Sequence, residues 1–198
     1  MSDPKDREPF IEVPGDLPGI RGLFAFKPET GAALSEFAQT LLRGSSPLSP
    51  GERETIAAFV SSRNKTYFCT QSHAATAAVL VEGGRDAIDT VIDDVESASI
   101  DPKLRALLRI ADKVRQSGLD VTQEDVENAR AAGAKDEDIH DAVLVAAAFC
   151  MFNRYVDGLA TIAPRERATY EQIGRLLATA GYVAAGAAQA PGAAEGDQ

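Results

Sequence analysis

The sequence predicts an all-α fold in one domain. Three observations predict it. Apolar residues recur three and four apart in segment after segment. Cap and stop residues bracket those segments. No alternating β-branched run of useful length exists. The length of 198 residues suits a single domain. A content of 44% hydrophobic and 25% charged residues is that of an ordinary globular protein.

Residues 1–20 read as an extended N-terminal arm, because Pro4, Pro9, Pro14 and Pro18 block helix there. Thr30–Arg43 carries Leu34, Phe37, Ala38, Leu41 and Leu42 at helical spacing, with Gly44 as its stop. Ser49-Pro50-Gly51-Glu52 is a capping box with proline at the first helical position, so a helix runs from Pro50 to about Arg63. The next covers about Thr66 to Glu82 and ends at Gly83-Gly84; another covers about Arg85–Glu96. Asp101-Pro102 opens a helix to about Ser117, with Leu104, Leu107, Leu108, Ala111 and Val114 on one stripe. Thr122 starts a short helix that stops at Gly133, and Asp136 caps a long one through about Gly158. A last helix lies near Arg165–Ala180. The helical domain spans residues 21–182. The tail, residues 183–198, is mostly Ala and Gly and reads as disordered.

Two stretches stand out. Thr66–Val81 and Ala142–Phe152 carry no formal charge, and helices apolar on all sides are buried on all sides. Neither is long enough for a membrane span. The excess of 30 acidic over 20 basic residues gives a net charge of −10 and argues against nucleic-acid or anionic-membrane partners. The N-terminus has no apolar core of the kind a secretory signal needs, which points to the cytoplasm. Two cysteines in a reducing compartment read as free or catalytic rather than as a structural disulfide.

The chemistry concentrates on one helix. Cys69 and His73 lie four apart, one turn along a shared face, in a chain with only two cysteines and two histidines. Glu54 lies on the preceding helix, on a face with Ala57, Ala58 and Ser61 that suits close packing. A thiol beside a base is the minimum constellation of a reactive cysteine. Cys69 falls in the first turn, with Asn64 or Thr66 as cap. Helix N-termini and neighbouring imidazolium lower a cysteine pKa to roughly 3.5–7.5. The bland alternatives stand beside this. Cys69 also fits a small buried hydrophobe, His73 a satisfied core histidine, and Glu54 a helix-dipole partner. Cys150, in Phe149-Cys150-Met151-Phe152, reads first as core and second as a resolving thiol. Arg154 and Asp157 read as an ion pair. No metal-ligand spacing exists, since His140 is the only other histidine.

Glu54, Asn64 and Tyr67-Phe68-Cys69-Thr70-Gln71-Ser72-His73 together resemble the core motif of the alkyl hydroperoxidase D and carboxymuconolactone decarboxylase superfamily. Leu17-Pro18-Gly19-Ile20, Pro28-Glu29-Thr30, Leu48 to Glu54 and Asn153-Arg154 resemble its uncharacterised peroxidase-related branch. The resemblance covers about residues 14–180. It implies a helical bundle of the alkyl hydroperoxidase D type that assembles as homo-oligomeric trimers or hexamers and needs no cofactor. It also implies a peroxidatic Cys69, a partner His73 and a proton-relay Glu54. Thr66 stands where peroxidase members carry a second cysteine, and Phe68 where they carry a relay histidine. The dithiol is therefore absent, and recycling would need Cys150 or an external thiol reductant. The expected activity is thiol-dependent reduction of a small peroxide. The alternatives are a lactone-decarboxylase type of lyase, which needs no cysteine, and a non-catalytic or redox-sensing relative. For a lactone acid, the nearest motif cations would be Arg53 and Arg63.

Overall fold

The structure, a computed structural model, describes residues 8–187. Among the described residues it contains nine α-helices and no strand. They are α1 (Ile20–Phe26), α2 (Pro28–Arg43), α3 (Pro50–Arg63), α4 (Tyr67–Leu80), α5 (Gly84–Asp93), α6 (Pro102–Gln116), α7 (Gln123–Ala131), α8 (Asp136–Gly158) and α9 (Arg167–Ala187). The all-α expectation holds.

Local chemistry explains most boundaries. The box at the start of α3 is formed: Glu52 N donates to Ser49 Oγ at 3.2 Å, and Ser49 N donates to Glu52 Oε2 at 2.7 Å. Asp101 accepts from Lys103 N at 2.7 Å to open α6. Gly44 leaves helical geometry after Arg43 and stops α2.

Several expectations need correction. Residues up to 20 are not all extended: Pro14–Asp16 forms a 3-10 turn, and α1 begins at Ile20. A seven-residue helix holding Gly22 is too short to show periodicity. Lys135, not Asp136, occupies the N-cap of α8, with Asp138 accepting from Lys135 N at 2.8 Å. The last helix continues to Ala187, into the stretch expected as tail. Residues 188–198, the rest of that tail, and residues 1–7 of the arm lie outside the described residues.

α3 and α4 close as a helical hairpin across Asn64-Lys65-Thr66, with Lys65 in the left-handed region at φ 63°. α4 also packs on α9, α6 on α8, α3 on α8 and α2 on α9. The main core gathers Leu42, Ile56, Phe59, Leu107, Val145 and Phe149. A second cluster joins Phe68, Cys69, Val156, Tyr170 and Ile173. Full burial fits most of α4, where Cys69, Ser72, Ala74, Ala75 and Ala77 are all buried, but not Val79, which is 49% exposed. It fails for α8, where Leu144 and Met151 are 38% and 44% exposed. That helix is also the one described helix long and apolar enough to cross a membrane, yet Val145, Ala146 and Phe149 on it are core residues.

α4 and α9 approach closely because their contact residues are small. A Cβ on Gly174 would lie 2.6 Å from the Ala75 carbonyl carbon. Overpacking of that kind costs about 1–3 kcal/mol. Gly174→Ala is therefore expected to lower stability by that amount, read from the urea midpoint at unchanged m-value.

Candidate active site

Glu54 is the centre of the site. α3 is enclosed from Arg53 to Ser61, so the Glu54 side chain is wholly buried. A carboxylate in that position must find donors. Three helices supply them. Arg43, in the last turn of α2, donates from Nη2 to Oε1 at 2.7 Å. The Tyr182 hydroxyl, on α9, donates to the same oxygen at 2.5 Å. His73 Nδ1, on α4, lies 2.7 Å from Oε2.

The electrostatics follow from this geometry. Burial alone would raise the Glu54 pKa, but the His73 ring, the Arg43 guanidinium and the Tyr182 hydroxyl outweigh it and hold the carboxyl below its ordinary 4.5. Burial and the adjacent Glu54 push the Tyr182 phenol well above its ordinary value, so it remains a donor. An ionised carboxylate only accepts, so His73 must carry its hydrogen on Nδ1. Nε2 is then the ring nitrogen left for chemistry. The ring is held edge-on by Phe149, with centroids 4.5 Å apart, and is stacked over Tyr182 at 6.2 Å.

Tyr182 reaches Glu54 because α9 breaks. Gly181 adopts φ 74° and ψ −169°, a conformation reserved for glycine. The break is latched to α2, where Gln39 Oε1 accepts from Tyr182 N at 2.7 Å. Arg43 is fixed further by donating to Leu177 O at 3.1 Å and Leu42 O at 2.8 Å.

His73 lines a cavity of about 400 Å³ between α1, α2, α4 and α9. Its walls are mostly apolar, with Ile20, Phe24, Ile173, Leu176 and Leu177 among them. Ser35, Ser72, His73 and Tyr182 contribute polar groups, and Arg21 and Glu36 contribute charge. The volume lies within the usual range of small-molecule sites.

Cys69 is close in sequence but differently placed. It is 4% exposed, sits in the second cluster with Val156, Tyr170 and Ile173, and is not among the cavity-lining residues. The expected drop in its pKa is overturned. Burial pushes the thiol up to about 12, and the Asn153 side chain offsets this only in part. The first-turn position on α4 holds, and Thr66 occupies the N-cap, but without a side-chain capping bond. The Thr66 hydroxyl donates to Asp157 Oδ2 at 2.5 Å rather than capping α4, and Asn64 ends α3.

Asn64 Nδ2 donates to Asn153 Oδ1 at 2.9 Å and reaches Cys150 Sγ at 3.7 Å. Asn153 Nδ2 donates to Ser61 Oγ at 3.0 Å. Cys150 is half-buried against the main core, and both cysteines are free. Arg154 donates to the Cys150 carbonyl at 2.9 Å. Arg53 donates to the carbonyls of Leu41 and Gly44, both at 3.0 Å, and Arg63 stacks on Phe59. Both motif arginines are therefore committed away from the cavity. Arg43 and Tyr182 were missed from sequence. The break signal at Gly181 was available for the second of them, but not its partner.

Glu54 ties stability to pH. A depressed folded pKa stabilises the fold fully above the ordinary 4.5, and the contribution is lost as pH falls through the lower folded value. Unfolding free energy measured against pH should fall in that acidic window for the wild type and flatten in Glu54→Gln.

Comparisons with known proteins point to one family. The family model of the carboxymuconolactone decarboxylase family matches residues 28–113. A search of curated proteins found no match. One similar solved structure is an uncharacterized peroxidase-related protein from Silicibacter sp. TM1040, with 30% identity, 78% of each chain covered and a TM-score of 0.70. Another is described as an alkylhydroperoxidase AhpD core, an uncharacterized peroxidase-related protein from Ralstonia eutropha JMP134. It is 26% identical over 85% of this chain and 96% of that one, with a TM-score of 0.72. The chain belongs to the carboxymuconolactone decarboxylase and alkyl hydroperoxidase D superfamily.

Proposed function

We propose that the protein is a peroxidase-related oxidoreductase in which the His73–Glu54 couple moves protons at the apolar cavity and Cys69 is the reacting thiol. The observation that carries the reading is the 2.7 Å contact between His73 Nδ1 and the buried Glu54 carboxylate, on a ring that faces the cavity. Such a couple is suited to general acid–base work. Arg43 and Tyr182 act as positioning residues, because they keep Glu54 ionised and so fix the His73 ring.

A thiol held near 12 rests in its neutral form. Its proton must leave as the sulfur attacks. The Cys69 sulfur would attack the distal oxygen of the peroxide, breaking the O–O bond, keeping that oxygen as a sulfenic acid and expelling the rest as an alkoxide. The thiol proton would pass to the departing alkoxide, giving an alcohol, with His73 as carrier. Two external thiols would then reduce the sulfenic acid, releasing water and a disulfide. This makes Cys69 a base-dependent nucleophile rather than a standing thiolate.

A second reading is favoured by one observation: His73 lines the cavity and Cys69 does not. It is a proton-transfer reaction of the decarboxylase type that needs no cysteine.

The test is peroxide consumption with an external dithiol, alongside sulfenic-acid trapping. Cys69→Ser should abolish both signals. His73→Gln should slow them by about 10²–10⁴-fold. Alkylation of Cys69 should be slow at neutral pH and rise steadily into the alkaline range. Unchanged trapping in Cys69→Ser would defeat the peroxidase reading. Decarboxylation of a lactone acid by that variant would establish the second.

A further inference from the structure

Four buried side-chain polar atoms among the described residues have no hydrogen-bond partner: Arg43 Nε, Arg53 Nε, Ser72 Oγ and Thr161 Oγ1. Of these residues, only Ser72 lines the cavity. The missing bond is not imposed by the helix. A buried hydroxyl on a helix can donate to the carbonyl four residues back. Thr55, Thr70 and Thr76 all do so, at 2.8, 2.9 and 2.8 Å. Ser72 does not, although it is only 3% exposed. Leaving a buried polar group unsatisfied is costly. The group is adjacent to His73, whose Nδ1 is bound to Glu54 and whose Nε2 is available.

We propose that Ser72 is the polar anchor of a ligand site: its hydroxyl, closed off from the cavity in this structure, turns about the Cα–Cβ bond to donate its hydrogen to the terminal oxygen of an otherwise apolar molecule whose head lies beside His73. The inference rests on the cavity being the substrate site, and it adds a residue and a ligand class to that reading. The class is set by the walls. Ile20, Phe24, Ile173, Leu176 and Leu177 suit an aliphatic or aryl body. Ser35 on α2 and Tyr182 on α9 also reach the wall, but the Tyr182 hydroxyl is already given to Glu54, so the polar pair of Ser72 and His73 on α4 marks the place of one head group. The head is a neutral hydroxyl-type oxygen. Glu54 already places a buried negative charge behind His73, and Arg21 and Glu36 bring opposite charges to the wall. An ionised head would enter with no dedicated counter-charge.

Three unreactive probes with one apolar body separate the possibilities: butylbenzene, p-butylbenzyl alcohol and p-butylbenzoate. Affinity is measured by calorimetry on the full chain. The alcohol is expected to bind about tenfold more tightly than the hydrocarbon, the worth of one hydrogen bond. Ser72→Ala is expected to erase that advantage and leave the hydrocarbon unchanged. Persistence of the advantage in Ser72→Ala overturns the anchor, and tightest binding by the benzoate overturns the neutral head. Absence of binding by all three overturns the site itself. Amide NMR of Ser72→Ala without probe shows that the variant is folded. Because no probe is a peroxide, loss of the peroxidase reading alone would leave these results standing.

Discussion

Everything in this structure turns on one buried charge. Removing a carboxylate from water costs several kcal/mol unless the protein replaces the lost hydration. Here the replacement comes from α2, α4 and α9 at once, through Arg43, His73 and Tyr182. None of the three donors can move without stranding Glu54. The site therefore depends on the packing of α2, α4 and α9 around α3. Gly174 lets α9 approach α4, and Gly181 lets it turn so that Tyr182 faces inward. The cavity is what those three helices, with α1, leave between them.

The same charge separates two groups that the sequence puts side by side. His73 and Cys69 are one turn apart on α4, but their environments diverge. His73 is polarised by Glu54 and faces the cavity. Cys69 faces the second cluster, where Asn153 is its polar contact and Asp157 adds a nearby negative charge. Both effects of that setting, burial and the Asp157 field, favour the neutral thiol. Thr66, at the position of the missing second cysteine, is bound to Asp157 instead. That part of α4 is organised by hydrogen bonds, not by thiol exchange. The separation is why proton transfer must accompany any reaction at Cys69.

Much of this was legible in the sequence, for reasons that can be stated. The boundaries of α3 and α6 are written in short-range chemistry, and the capping box and Asp101-Pro102 mark them unaided. Glu54, Cys69 and His73 stood out in the sequence as candidates, and the structure brings two of them together, Glu54 and His73. What the spacing could not carry was depth. The first turn of a helix favours a thiolate, but burial of Cys69 reverses the sign, and burial is a property of the assembled fold. Arg43 and Tyr182 lie 11 and 128 residues from Glu54 and share no local pattern with it. The uncharged stretch of α8 promised full burial, yet Leu144 and Met151 face outward. Absence of charge marks tolerance of the interior, not residence in it.

The central claim is that an ionised, buried Glu54 fixes the hydrogen of His73 on Nδ1. Imidazole nitrogen NMR tests it most directly, because the chain has only two histidines and His140 is exposed. In its neutral form His73 should show a single tautomer, with hydrogen on Nδ1 and none on Nε2. Glu54→Gln should abolish that preference and leave the His140 signal unchanged. A His73 spectrum with mixed tautomers in the wild type, or one unaltered by Glu54→Gln, would contradict the account.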